Sequence, residues 1–163
     1  MEKTEKKRLL IYILVAYGVT YVMGLLMWYG NSKGMDVSAF PNAQMMYPAA
    51  GVALGFLLTR KGDKTVPKGF YIFFIALTGV MAAVSILSVI MPDEIVVIGG
   101  AGISVWSLAI NYILVLGSIV FWILLLAAGK ERRKAFGLNG NLWKKSVLMI
   151  LLFVALFLGR TAL

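Results

Sequence analysis

The sequence predicts an all-α fold, a polytopic bundle of about five transmembrane helices with its N-terminus in the cytoplasm. Of its 163 residues, 61% are hydrophobic and 14% are charged, whereas soluble domains are about 45–50% apolar and about 25% charged. Fourteen of the sixteen Lys and Arg residues lie in three short segments, 1–8, 60–68 and 130–145. Long apolar runs separate these segments, a pattern typical of spans joined by basic cytoplasmic loops.

Composition also excludes several classes of chemistry. The chain contains no cysteine and no histidine. Disulfides, thiolate metal sites and cysteine nucleophiles are therefore excluded, and the commonest metal ligand and general base are missing. The net charge of +9 could indicate a nucleic-acid partner, but the clustering of the cations already accounts for it. We expect a single domain over residues 1–163, with no cofactor and no nucleic-acid partner.

The first two predicted spans are residues 9–29 and 41–59. The apolar run 9–29 has 21 residues, more than the roughly 7–15 of a cleavable signal sequence. We interpret it as an uncleaved span. In the second span, Pro48 cannot donate a backbone hydrogen bond, so a kink is expected there.

The remaining predicted spans are residues 69–91, 103–128 and 142–158. Residues 95–129 carry no charge and are too many for one straight span. A glycine-rich stretch at 99–102 divides them, so the sequence indicates either a loop or a half-inserted segment at 95–102. The fifth span has about 17 residues, the short end of the spanning range.

Placing the three basic segments inside gives one topology. Residues 31–40 and 92–102 are then external, as is the C-terminus. Only Lys33 and Arg160 depart from the bias. We expect a multi-pass protein of the cell (plasma) membrane, in contact with the lipid bilayer.

Three residues are candidates for contacts between helices. Gly51 and Gly55 form a GxxxG motif that lets a second helix approach closely, either within the chain or from another copy. Asn111 is the most polar residue at depth. An amide there usually forms a hydrogen bond across helices, and binding a ligand is the alternative.

The third basic segment, 130–145, combines six cations with apolar and aromatic side chains. Such a segment suits the membrane surface, where it would contact anionic lipid headgroups. The alternative is an ordinary cytoplasmic loop, because Gly137 and Gly140 weaken a continuous helix. The candidate headgroup contacts are Arg132, Arg133, Lys134, Lys144 and Lys145.

The predicted spans contain no candidate catalytic or metal-binding residue. All seven acids lie in loops or at the ends of spans, and no serine has a histidine or lysine at depth to act as its base. Asp93 and Glu94 are the only adjacent acidic pair. We interpret them as part of a turn that ends the third span, with weak binding of a divalent cation as the alternative.

Two parts of the chain resemble one family of bacterial membrane proteins. Residues 47–51 (YPAAG) running on to 58–61 (LTRK) are similar to the second-helix region of the CPBP family. Residues 133–139 (RKAFGLN), followed by 143–145 (WKK), look like the junction ahead of that family's catalytic half. The family includes CAAX-type prenyl proteases and bacteriocin-processing or self-immunity proteins. The resemblance covers most of the chain and implies a helical membrane fold.

The resemblance also implies what this chain lacks. The family's active site consists of a Glu-Glu-x-x-x-Arg motif and two later histidine motifs, thought to activate water with a metal. Glu131 and Arg132 do not form that motif, and no histidine is present to match the others. The chain would then correspond to the non-catalytic N-terminal helices. The catalytic helices would follow Leu163 or belong to a separate membrane partner.

Two hypotheses for function follow from these features. In the first, the chain is the structural transmembrane portion of a CPBP-like intramembrane protease and is inactive alone. In the second, it is a stand-alone small membrane protein, such as an immunity factor, an adaptor or a transporter subunit. A carrier or channel is disfavoured, because no charged residue lies at depth to serve an ion or a substrate.

Overall fold

The structure, a computed structural model, describes residues 3–63, 66–91, 94–135, 147–149 and 151–152. In chain order, the elements are α1 (Lys3–Ile13), a π-helical stretch (Leu14–Val19), α2 (Thr20–Ser32), α3 (Ala39–Gln44), α4 (Tyr47–Thr59), α5 (Lys68–Ile90), β1 (Ile95–Ile98), β2 (Ala101–Ser104), α6 (Val105–Ala127) and α7 (Gly129–Ala135). The all-α class is confirmed, with one added β-hairpin. The chain divides into two compact units, Met1–Ala127 and Ala128–Leu163.

Three helices in the described part of the chain are long and apolar enough to cross a membrane: Lys3–Ser32, Lys68–Ile90 and Val105–Ala127. The first of them, hereafter the first helix, is formed by α1, the π-helical stretch and α2. Its 30 residues span about 45 Å at 1.5 Å per residue, whereas a hydrocarbon core is about 30 Å thick. The helix is therefore longer than such a layer is thick, and its charged turns precede the apolar run that begins at Leu9.

The predicted second span, 41–59, is divided into two helices. The short helix α3 ends at Gln44, and α4 begins at Tyr47. A kink at Pro48 within one helix was expected, but Pro48 lies in the first turn of α4. Proline is favoured there because the first turn leaves its backbone N–H groups without helical partners, so none is lost. The 13 residues of α4 cover about 20 Å, less than the hydrocarbon thickness.

Helix α5 lies at the centre of the first unit, where it packs against α3, α4 and α6. Its bounds agree with the predicted span 69–91 to within one residue. Ser85 and Ser88 are buried on it, and their hydroxyls donate to Met81 O at 3.0 Å and to Ser85 O at 2.8 Å within the same helix. Small side chains bonded in this way let neighbouring helices approach closely.

The core of this unit is formed where four helices meet. Phe40 of α3, Tyr47 of α4, Met81 of α5 and Ile110 of α6 are all buried in one cluster, each at most 1% exposed. Helix α3 is short, but it places a large aromatic side chain between longer helices. It is therefore part of the core and not merely a connection.

A β-hairpin replaces the loop or half-inserted segment expected at 95–102. Strands β1 and β2 pair antiparallel, with Ile95 opposite Ser104 and Ile98 opposite Ala101. Gly99 and Gly100 connect them with φ of 60° and 85°, as a type I′ turn requires at both central positions. The hairpin takes up Ile103 and Ser104, so α6 begins two residues after the predicted start of the fourth span.

Helix α6 packs against α5 at a glycine and an aromatic cluster. A Cβ added to Gly117 would lie 2.6 Å from Leu77 Cδ2. One turn further on, the Phe121 ring centroid lies 5.0 Å from that of Phe73 and 5.3 Å from that of Phe74. The absence of a side chain at Gly117 allows the two helices to approach, and the rings fill the space beside it.

The second unit is described only in part. Helix α7 covers the first residues of the third basic segment. Lys144, Lys145 and most of the predicted fifth span, 142–158, lie outside the described residues.

Candidate functional site

The predicted GxxxG face of α4 lies against the first helix. A Cβ on Gly51 would be 3.2 Å from Tyr12 Cα and 3.2 Å from Val15 Cβ. A Cβ on Gly55 would be 3.7 Å from Arg8 Cα. Of the two alternatives for this motif, contact within the chain is the one present in the structure. Gly51 marks the closer approach, opposite the start of the π-helical stretch.

Arg8 joins the basic end of the first helix to the end of α4. Its Nε donates to Thr59 Oγ1 at 2.7 Å, and the Thr59 hydroxyl donates in turn to Gly55 O at 2.7 Å. The guanidinium carbon of Arg8 lies 5.0 Å from the centroid of the Phe56 ring, and that of Arg60 lies 5.4 Å from the same centroid. Both distances are within the range of cation–π attraction.

A groove of about 340 Å³ lies beside this contact, between α1 and the end of α4. Its lining residues are Lys3, Thr4, Lys7, Leu58 and Thr59. Both lysines are exposed, and no carboxylate is among the lining residues. From sequence, these cations were interpreted only as topology signals. Lys3 and Lys7 come to lie beside Leu58 and Thr59 because α1 packs against α4.

The hydrogen bond that the structure gives the Asn111 side chain lies within its own helix, whereas a bond to another helix was expected. Its side chain is exposed on α6, and its Nδ2 donates to Ser107 O at 2.8 Å in the same helix. Ser118, two turns further on, is also exposed and donates to Leu114 O at 2.7 Å. Two polar side chains therefore lie on the outer face of α6.

The candidate headgroup cations of the third segment are described in part. Arg132, Arg133 and Lys134 all belong to α7, and Lys134 is exposed. The beginning of the segment is thus helical, as an interfacial helix requires. Seven residues of this helix, Gly129–Ala135, belong to the described part of the chain, and both the surface helix and the ordinary loop stay predictions.

At the opposite end of the first unit, Asp36 joins the loop after α2 to the hairpin. Its carboxylate accepts hydrogen bonds from Ser38 N at 2.9 Å and Ser38 Oγ at 2.7 Å, and it also bonds the Ser104 side chain. Burial raises the pKa of Asp36, but the bonds from Ser104 and Ser38 outweigh it, so that the pKa lies below its ordinary value. The sequence contained no signal for this long-range contact.

The described residues contain no group of three or more His, Cys, Asp or Glu side chains that could hold a metal ion. The buried polar side chains of the first unit include Thr78, Ser85 and Ser88. Tyr47 is also buried, and its hydroxyl has no hydrogen-bond partner within the part of the chain described. Hydroxyl groups without a base at depth are poor nucleophiles.

Comparison of the chain with protein-family models, with curated proteins and with solved structures finds no match. The likeness to the CPBP family therefore depends on the residues quoted above.

Proposed function

We propose that this chain is a non-catalytic transmembrane module that packs against the catalytic helices of a CPBP-like intramembrane protease, either in the same protein or in a separate membrane partner. It would shape the lateral entrance to the catalytic site and would not hydrolyse peptides alone. The observation that carries the proposal is the exposed face of α6.

Helix α6 has one side that packs against α5 and another that is exposed. Of its 23 residues only Ile110 and Gly117 are buried. The exposed side includes Tyr112 and Trp122, each 65% exposed, together with the polar Asn111. Its remaining positions are mainly aliphatic.

Lipid hydrocarbon offers no hydrogen-bond partner to an amide side chain, so a surface that contacts only lipid does not favour one. Asn111 satisfies its Nδ2 partly within its own helix, which leaves hydrogen-bonding capacity at a depth where water is scarce. Polar side chains in such positions commonly bond across to another helix. The face is therefore suited to a neighbouring transmembrane helix.

The test is affinity purification of the tagged full chain in mild detergent, with partners identified by mass spectrometry. If the catalytic helices belong to a separate protein, we expect a stoichiometric membrane partner that carries the Glu-Glu-x-x-x-Arg and histidine motifs; if they belong to the same protein, its own sequence should carry these motifs. Asn111→Leu should reduce the recovery of a separate partner severalfold, since the cross-helix hydrogen bond is lost. The matched control is Asn31→Leu, the same change at an exposed position of α2.

Two results would count against the proposal. A stoichiometric transporter or sensor without those motifs would favour the alternative of a stand-alone adaptor, immunity factor or transporter subunit. Peptide hydrolysis by the purified chain alone would contradict a non-catalytic role.

We also propose the five-span orientation with a cytoplasmic N-terminus, and two contacts support it. The bond from Arg8 to Thr59 places the end of α4 beside the basic start of the first helix. The bond between Asp36 and Ser104 places the loop after α2 beside the hairpin. If the first helix crosses the membrane, α3 and α4 together must return to its starting side, because Arg8 and Thr59 touch.

Reporter fusions test this orientation. Fusions at Lys64 and Lys134 should report the cytoplasm, and fusions at Ser32 and Asp93 the exterior. The fusion at Lys64 is the most informative, because α4 alone is too short to span. An external signal there would mean that α3 and α4 do not cross.

A further inference from the structure

We infer that the groove between α1 and the end of α4 is a binding site for the phosphate headgroup of an anionic phospholipid. No residue of the third basic segment is among its lining residues, and the site does not depend on the proposed protease relationship. Its lining residues are Lys3, Thr4, Lys7, Leu58 and Thr59.

The charge of the groove suits a phosphate. Lys3 and Lys7 are four residues apart in α1, so their side chains lie on the same side of the helix. Neither lysine has an ion-pair partner among the described residues. Thr4 adds a hydroxyl donor beside them. Ammonium groups form charge-assisted hydrogen bonds with phosphate, and these are stronger than neutral ones.

Arg8 adds positive potential next to the groove, whereas the charge of Arg60 is offset by a carboxylate. Arg60 is paired with Asp63, with Nη1 and Oδ2 3.7 Å apart. Arg8 has no carboxylate partner in the part of the chain described; its Nε is used by Thr59. The residues that line the groove carry two positive charges and no carboxylate, and an anion would reduce the repulsion between them and Arg8.

The position of the groove, next to the start of the apolar run, favours a lipid over a soluble anion. The apolar run of the first helix begins at Leu9, directly after the groove-lining turns. Leu58, 42% exposed, belongs to the lining itself. A headgroup bound to the lysines would therefore have its glycerol and first acyl carbons beside an apolar side chain, whereas a free phosphate would gain nothing from that contact.

The inference is tested by lipid binding to the full chain in detergent, measured by native mass spectrometry with added phosphatidylglycerol or phosphatidylcholine. The double variant Lys3→Gln, Lys7→Gln should bind phosphatidylglycerol about tenfold more weakly or worse, because two charge-assisted bonds are lost. Phosphatidylcholine should bind weakly to every form.

The matched control is Lys6→Gln with Lys61→Gln. It removes the same charge from the same predicted side of the membrane, but neither residue lines the groove. This control should bind like the wild type, and the charge-preserving Lys3→Arg, Lys7→Arg variant should retain binding. If the double variant of the groove lysines is not monodisperse, the single variants Lys7→Gln and Lys6→Gln are compared instead. The expected change in the logarithm of the affinity is then about half as large.

Two outcomes would overturn the inference. Equal losses in the groove and control variants would mean diffuse attraction without a site. Binding of glycerol 1-phosphate as tight as that of phosphatidylglycerol would mean a site for soluble phosphates and not for lipid.

Discussion

Replacing Gly51 with leucine is expected to destabilise the folded chain by about 3 kcal/mol. The first added carbon alone would lie 3.2 Å from Tyr12 Cα and 3.3 Å from Tyr12 O. Backbone atoms of a packed helix cannot rotate away as the end of a side chain can, so the first helix and α4 would have to separate. The free energy of unfolding in mixed detergent micelles, measured by titration with a denaturing detergent, is the appropriate readout.

A pair of alanine substitutions isolates the cause. Gly51→Ala and Gly55→Ala are both in α4, and each gains about 1 kcal/mol of helix propensity. At Gly55 the new Cβ would make an ordinary contact of 3.7 Å with Arg8 Cα, so this variant should be neutral or more stable. Gly51→Ala should be less stable than Gly55→Ala by about 1 kcal/mol or more. Equal effects at the two positions would show that the approach at Gly51 is not tight.

The long helices were predictable because their signal is one-dimensional. An uncharged apolar run of spanning length indicates a helix whatever packs against it. The observed bounds Lys68–Ile90 and Val105–Ala127 therefore differ from the predicted 69–91 and 103–128 by no more than two residues at either end.

The break before α4 and the hairpin were missed for different reasons. Pro48 has two common roles, a kink or a place in a first turn, and only packing of α3 into the core decides between them. The hairpin had a local sequence signal. Gly99 and Gly100 separate a run of β-branched residues, 95–98, from a run of mostly small residues, 101–104. In a prediction from sequence, the uncharged apolar run 95–129 outweighs this turn signal.

The candidate contacts differ in how much of each could be predicted from the sequence. The spacing of Gly51 and Gly55 predicts that some helix approaches, but the partner depends on chain folding over some forty residues. From sequence, Arg8 indicates only topology, although it bonds Thr59, 51 residues further along the chain. For Asn111 the polarity was noted, but its outward orientation depends on which side of α6 faces α5.

Replacing Phe40 with alanine is expected to cost about 3 kcal/mol of stability, towards the lower end of values for deleting a buried phenylalanine. Phe40 is 0% exposed and lies in the cluster with Tyr47, Met81 and Ile110. Its removal leaves a cavity where α3, α4, α5 and α6 meet. Lipid surroundings weaken the hydrophobic contribution, but the packing contacts are lost in any solvent.

Met45→Ala is the matched control for this prediction. It removes a large apolar side chain just after α3, at a position that is 77% exposed, and should change the free energy of unfolding by less than about 0.5 kcal/mol. Phe40→Leu should fall between the two, because it fills part of the cavity. If Phe40→Ala and Met45→Ala behave alike in the micelle titration, α3 does not insert into the core. The break before α4 would then lie in a peripheral segment, and the proposed return of α3 and α4 across the membrane would no longer be supported by packing in the core.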